Sequence, residues 1–346
     1  MGMLVRQVSR HGRAVQIGVL TVVLLICLLI PQLGSSFYVS LGLSVLIYGL
    51  LAMSLDLLAG YTGLVSLGHA SFLGVGAYGL AFGLSHGLDV YPAIGLALAA
   101  VAVTAAVFGL VAVRVKGITF VILTLALGQL VWGLAFRWVA VSGGDNGLPV
   151  AGRPSLGPID LTDNGAFYYF VLAIVVACAA ILWAMVNSPF GLSLQGIKDN
   201  EARMRTLGYN VVLHKYLAFT ISAVFGGVAG ILFAFYNLYV SPTMIDFNHN
   251  GTVIQMAVVG GLGTLWGPML GSIVIVFMQQ VVSIYVGRWT TLLGIIFVLT
   301  VLFARTGLWG GMRTLIRRLA VHYGAEPPVG PISTASLDTL GTRGGE

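Results

Sequence analysis

The chain reads as an all-α polytopic membrane protein of about ten transmembrane helices, some of them broken or re-entrant, with both termini cytoplasmic. Three observations point there. Charged residues make up 8% of the 346 and the set AVILMFWYC 58%, against roughly 25% charged in soluble domains. Apolar runs of membrane-spanning length recur along the chain, since a hydrocarbon core of ~30 Å takes about 20 helical residues. Glycine, at 47 residues, stands at about twice its usual ~7% and falls inside those runs, where it lets helices approach closely in lipid. A water-soluble fold is excluded.

The apolar runs 14–30, 38–58, 91–113, 118–141, 166–186, 216–238 and 289–304 are read as spans. Arg6, Arg10 and Arg13 precede the first of them as in a signal peptide, but no small-x-small cleavage site follows, so 1–13 is expected to be a cytoplasmic N-terminus before an uncleaved span. The run 64–84 is apolar but rich in small residues, a full span or a broken one, and is counted as crossing. Segment 252–286 would be ~52 Å long as one helix, too long for one crossing and slightly short for two. Its break at Gly260, Gly261 and Gly263, followed by Gly267 and Pro268, suggests a short span and then a full one.

Charge placement tests the count. With the N-terminus inside, fourteen of the seventeen Lys and Arg fall on the cytoplasmic side, and Arg137, Arg153 and Arg288 fall outside with Asp89, Asp145, Asp160, Asp163 and Asp246. That is the positive-inside bias, and it explains the net charge of +6 better than nucleic-acid binding does. Merging 252–286 into one span would move Arg305–Arg318 outside, which argues against the merge. The membrane domain is thus 14–310, and 311–346, rich in Pro, Gly, Ser and Thr, is expected to be a largely disordered cytoplasmic tail. The external loop 142–165 carries SGGDNGLP, turn chemistry suited to a fixed shape.

One polar interval interrupts the apolar chain: 187–215, NSPFGLSLQGIKDNEARMRTLGYNVVLHK. Its residues 194–207 sort onto two faces of a short helix outside the bilayer, able to receive force from a soluble partner. Catalytic motifs are missing: no Lys follows a Gly, so there is no phosphate loop, and neither HExxH nor CxxC occurs. Cys27 and Cys178 lie in apolar runs and read as packing residues, with no disulfide or metal site expected. Asn250-Gly251-Thr252 is read as a chance glycosylation match.

Asp56 is an ionisable group at membrane depth, either a structural anchor for the Gly60 and Gly63 break or a contact on the solute path. His69 is either a hydrogen-bonded packing residue or a pathway residue. Glycine pairs at i,i+4 spacing, 79 and 83, 226 and 230, and 263, 267 and 271, read as close-packing faces. Helix breaks leave backbone groups unpaired at depth, tolerable only against protein or a cavity. The two breaks therefore point to the path, with Asp56, Tyr61, Thr62, Ser66 and His69 on one wall and Gln255 near the other.

Taken together, LDLLAGYTGLVSLGHASFLGVGAY at 55–78, RVKGITFVILTLALGQ at 114–129, SGGDNGL at 142–148, the 187–215 interval and VVGGLGTLWGPMLGS at 258–272 resemble LivM-type permease subunits of branched-chain, or hydrophobic, amino acid ABC importers. The resemblance implies that 187–215 docks on an ATPase, with Glu201, Ala202 and Gly208 in the place of the EAA…G pattern and Lys198, Arg203 and Arg205 beside them. It also implies a LivH-like second permease, two ATP-binding subunits carrying ATP and Mg, a periplasmic substrate-binding protein, and the bacterial inner membrane, with no cofactor or metal on this chain and no nucleic acid. Two departures stand out. The family usually has Asn where this chain has Asp56, a feature that looks like urea-type members, so urea, amide or aromatic-acid solutes are the alternatives. It also usually has a Pro before the late Gly-Leu-x-Gly, where this chain has Arg305-Thr306-Gly307-Leu308-Trp309-Gly310, a change expected to touch only a helix end. The rival class is an ion-gradient-driven secondary transporter, which commonly places several ionisable residues in its spans; here Asp56 and His69 are the main candidates, with Arg137 near an outer end.

Overall fold

The computed structural model describes residues 27–311 apart from 34, 151, 154, 157, 158 and 304–306. The expected cytoplasmic segment 1–13, most of the expected first span and the tail beyond 311 lie outside the described residues. Helix α1 (Ser36–Asp56) runs through the middle of the bundle and is apolar all round, as a helix packed on every side must be. It touches α5 (Asn164–Val186), α8 (Val211–Asn237), α9 (Phe247–Gly260) and α10 (Gly267–Phe277). Two polar clips tie α1 to the chain around α10: Ser272 Oγ donates to the Val45 carbonyl at 3.1 Å and Gln280 Nε2 to Ser44 Oγ at 2.8 Å.

At its end α1 widens into a π turn, Leu57–Tyr61, and the backbone leaves helical geometry at Gly63, where φ is +73°. Residues 64–69 are irregular, and α2 (Ala70–Ser85) follows. Its 16 residues reach only ~24 Å at 1.5 Å each, less than the ~30 Å core. Segment 64–84 is thus broken, and its helical part cannot cross alone. Helix α3 (Val90–Ala112) offers a stripe of Ala93, Ala97, Val101 and Ala105, all fully buried, while Val103, Val107, Leu110 and Val111 face outward. The i,i+4 stripe lies on α2 and α8; the outward apolar side is what a lipid-facing helix presents. Backbones come close where small residues meet: a Cβ added to Gly230 of α8 would stand 1.9 Å from the Leu73 carbonyl oxygen of α2, and one on Gly79 2.8 Å from the Ala97 Cα.

After α4 (Ile118–Arg137) the chain makes the loop expected to hold a fixed shape. Ser142 Oγ donates to the carbonyls of Ala135 and Trp138, and strand β1 (Leu148–Pro149) pairs antiparallel with a strand 90 residues later. Strands β2 (Ser155–Leu156) and β3 (Ile159–Asp160) form a small antiparallel pair of their own, and that later strand is β4 (Tyr239–Val240). The single helix expected over 194–207 is instead two: α6 (Pro189–Asp199) and α7 (Glu201–Thr206). Asn200 separates them because its backbone is extended and its Oδ1 accepts the Arg203 N–H at 2.9 Å, capping the second helix.

In place of the expected short and full spans in 252–286 there are a short helix and a longer one separated by a break, with a shifted start. Asp246 caps α9 through the His249 N–H at 2.7 Å, so the helix begins at Phe247. Residues 261–266 form the break, and α10 then starts with Pro268 in its first turn, where a missing N–H does no harm. A π turn (Met278–Val282) and a last turn (Ser283–Tyr285) extend it before α11 (Trp289–Phe303). Among the described residues six helices are long and apolar enough to cross a membrane: Ser36–Tyr61, Val90–Ala112, Ile118–Arg137, Asn164–Val186, Val211–Asn237 and Gly267–Tyr285.

Candidate coupling segment and the two helix breaks

Asp56 lies fully buried at the end of α1 and spends both carboxyl oxygens on the other break. Oδ1 accepts the Gly263 N–H at 2.6 Å and Oδ2 the Leu265 N–H at 2.9 Å. Gly263 has φ of +80° and Leu265, which has a Cβ, +59°. A branched residue held left-handed costs about 1–2 kcal/mol, so the carboxylate both satisfies two orphan donors and fixes a backbone that would otherwise relax. Within the loop Thr264 Oγ1 donates to the Gly261 carbonyl at 2.7 Å and accepts the Gly267 N–H at 3.0 Å. Gly60 lies against this loop so closely that an added Cβ would stand 2.3 Å from Gly263 N. On the far side Gly307, the first residue of the late Gly-Leu-Trp-Gly, abuts the Cα of Gly261.

The other expected path residues are also enclosed. Tyr61, Thr62, Ser66 and His69 are all buried, and Gln255 is half-buried on α9. Thr62 Oγ1 donates to the Leu58 carbonyl, and Ser66 Oγ accepts the Gly68 N–H at 3.3 Å. His69 Nε2 and Ser54 Oγ lie 2.8 Å apart, the Ser54 carbonyl accepts from Ser222 Oγ, and His69 Nδ1 has no hydrogen-bond partner among the described residues. The structure therefore brings Asp56, Gly60, Gly63 and Gly263 to one junction and sets His69 in a separate α1, α2, α8 contact.

Sequence reasoning missed Asn250, whose buried amide joins the two irregular segments: Oδ1 accepts the Ala70 N–H at 2.8 Å, and Nδ2 donates to the carbonyls of Ile245 and Asp246 at 3.2 and 3.1 Å. The signal was a buried-type Asn at the start of an apolar helix, and its engaged side chain leaves no free amide for a sugar.

In the polar interval, Glu201 is the first residue of α7 and gathers three cations from three segments. Lys116, in the turn between α3 and α4, reaches Oε2 at 2.8 Å; Lys215 of α8 reaches the same oxygen at 3.0 Å; Arg205 reaches Oε1 at 2.8 Å. Burial pushes the Glu201 carboxyl up, but hydrogen bonds from Lys116 and Lys215 and their charge outweigh it and bring it down to about 2. Glu201 thus fastens α7 to the base of the bundle, and Ile197, Met204 and Val211 make a small apolar core beneath it. Lys198, itself exposed, donates through its Nζ to the Gly60 carbonyl at 2.6 Å. Ala202, Arg203 and Arg205 are exposed as well, and so is Gly208, at φ of +84° with open space around it. Leu192, Leu207 and Tyr209, absent from the expected set, add exposed apolar area to the same segment.

At the opposite end of α8, Phe233, Asn237, Tyr239, Ser241, Met244 and His249 border an open cavity of about 250 Å³. Among the described residues no three His, Cys, Asp or Glu side chains gather as a metal site would require.

The chain is 28% identical over 314 residues to the high-affinity branched-chain amino acid transport system permease protein LivM of Salmonella typhimurium, covering 84% of this chain and 74% of that protein. It is equally 28% identical to LivM of Escherichia coli, covering 82% and 74%. The guanosine ABC transporter permease protein NupQ of Bacillus subtilis is 31% identical over 98 residues, 28% of each chain. No solved structure matches. The family model for the permease component of branched-chain amino acid transport systems matches residues 37–304, a stretch that holds both helix breaks, the polar interval and every candidate residue above, and the chain belongs to that family.

Proposed function

We propose that this chain is one permease subunit of an ATP-binding-cassette importer in the bacterial inner membrane, moving a branched-chain or related amino acid inward. ATP and Mg are bound and hydrolysed on two partner subunits, a LivH-like permease supplies the other half of the path, and a periplasmic protein delivers the solute. The carrying observation is the α6 and α7 pair: a short polar surface with exposed Leu192, Arg203, Leu207 and Tyr209, fastened to the bundle by Glu201. Such a surface has use only if a soluble partner pushes on it. Docking then falls to Ala202, Arg203, Arg205 and Gly208, with Glu201 holding them in place.

Ten crossings with both termini inside fit the charge distribution, with 64–84 and 252–263 as partial or broken crossings. The solute path is assigned beside the two breaks, near Tyr61, Thr62, Ser66, His69 and Gln255, with the 250 Å³ cavity as its outer approach. Amino-acid transport is favoured over guanosine because the likeness to LivM runs over 84% of the chain and that to NupQ over 28%. Uptake of labelled leucine, urea and guanosine by the full complex tests this. Saturable leucine uptake supports the reading; urea or guanosine uptake without leucine uptake overturns it.

A further inference from the structure

The Gly60 carbonyl sits inside the π turn Leu57–Tyr61, where the chain turns away before supplying the next helical donor: the Leu64 N–H bonds back to the Leu58 carbonyl. Its partner comes instead from the polar interval, as Lys198 Nζ donates to it at 2.6 Å. The Lys198 stem lies along the next glycine of the break, and a Cβ on Gly63 would stand 3.1 Å from Lys198 Cγ. On its other side Gly60 lies against the second break, with the Gly60 carbonyl oxygen 3.2 Å from where a Cβ on Gly263 would be. Gly263 and Leu265 in turn are held by Asp56 from the same helix end as Gly60. One unbroken line of short contacts therefore leads from the last turn of α6 through Gly60 to the strained loop 261–266.

We infer that Lys198 is a positioning residue that passes displacement of the α6 and α7 pair to both helix breaks, and is not a docking contact for the ATPase. The inference rests on the ABC-importer reading. A charge-assisted bond to a backbone carbonyl is short and stiff, so a shift of α6 either carries Gly60 with it or breaks the bond. Carrying Gly60 moves the end of α1 against Gly263, in a loop whose left-handed Leu265 stores backbone strain that a change of arrangement would release. A packed junction of this kind switches between discrete arrangements and does not bend continuously.

The test uses the full complex in proteoliposomes with Lys198→Met, which keeps most of the stem and removes the donor, and Lys198→Arg, which keeps a donor. The expected result for Lys198→Met is normal copurification of the ATPase, continued hydrolysis, and a roughly tenfold drop in solute moved per ATP, the effect of one charge-assisted hydrogen bond. Lys198→Arg should recover most of that ratio. An unchanged ratio in Lys198→Met overturns the inference, and loss of ATPase copurification assigns Lys198 to docking instead. Hydrogen exchange on the unaltered complex gives a reading free of folding defects: the amides of 261–266 should change protection when nucleotide is trapped, and identical exchange in both states contradicts the linkage. If the unaltered complex transports without ATP, the importer reading fails first and separately.

Discussion

At the residue scale, Asp56 shows how a charge at membrane depth is accommodated. Both oxygens take backbone N–H groups, so Asn at this position would turn an NH₂ toward one donor and leave it unpaired. Asp56→Asn is expected to destabilise the chain by about 1–3 kcal/mol, read by thermal unfolding of the purified complex. Unchanged unfolding with abolished uptake would reassign Asp56 to solute contact. That a carboxyl here must have a partner was legible from the sequence; which partner was not, because Gly263 and Leu265 are more than 200 residues away and offer only backbone. Leu265 itself carries no sequence sign of its left-handed backbone.

Glu201 makes a pH-dependent prediction. Its carboxyl lies near 2 in the folded chain against an ordinary value of 4.5. A depressed carboxyl contributes its full stabilisation above pH 4.5 and loses it as the pH falls toward 2, because protonation discharges the contacts to Lys116, Arg205 and Lys215. Limited proteolysis at Arg203 and Arg205 should therefore speed up over that interval, with a pH-stable protease. Glu201→Gln should cleave fast at pH 7 already and show no further acid step. Identical pH profiles would show that the three cations do not hold α7.

At the element scale, the glycines divide by what surrounds them. Gly230 meets the Leu73 backbone and Gly271 the Met256 carbonyl, while Gly133 and Gly294 face open space. Gly230→Ala should lower stability by about 1–3 kcal/mol through overpacking, and Gly133→Ala should leave stability unchanged or raise it by at most about 1 kcal/mol through helix propensity. Equal effects in thermal unfolding would remove the close-packing account of α2 on α8. The i,i+4 spacing made such faces visible in sequence, yet Gly95 shows that glycine in an apolar helix is not by itself a contact. Breaks were legible for the same reason in reverse: Gly260, Gly261 and Gly263 with Pro268 at the next helix start disfavour one continuous helix. The division of α6 from α7 was hidden because Asn200 supports either a helix interior or a cap, and tertiary contacts at Met204 and Glu201 decide.

At the scale of the whole molecule, the six helices long and apolar enough to cross among the described residues follow mainly from apolar length, because lipid requires every spanning backbone to satisfy itself. The pairing of β1 with β4 and the Asn250 bridge join segments whose composition says nothing about each other. The proposed topology, argued from the charge distribution, has both termini inside, so a reporter fused after Arg318 should be cytoplasmic, and a periplasmic signal would show a miscount around 260–267. The most direct test is solute uptake by liposomes holding the permeases, ATPases and binding protein, measured with vanadate and separately with an ionophore. Uptake abolished by vanadate and indifferent to the ionophore is expected of a permease driven through α6 and α7; full uptake under vanadate that collapses with the ion gradient would contradict it.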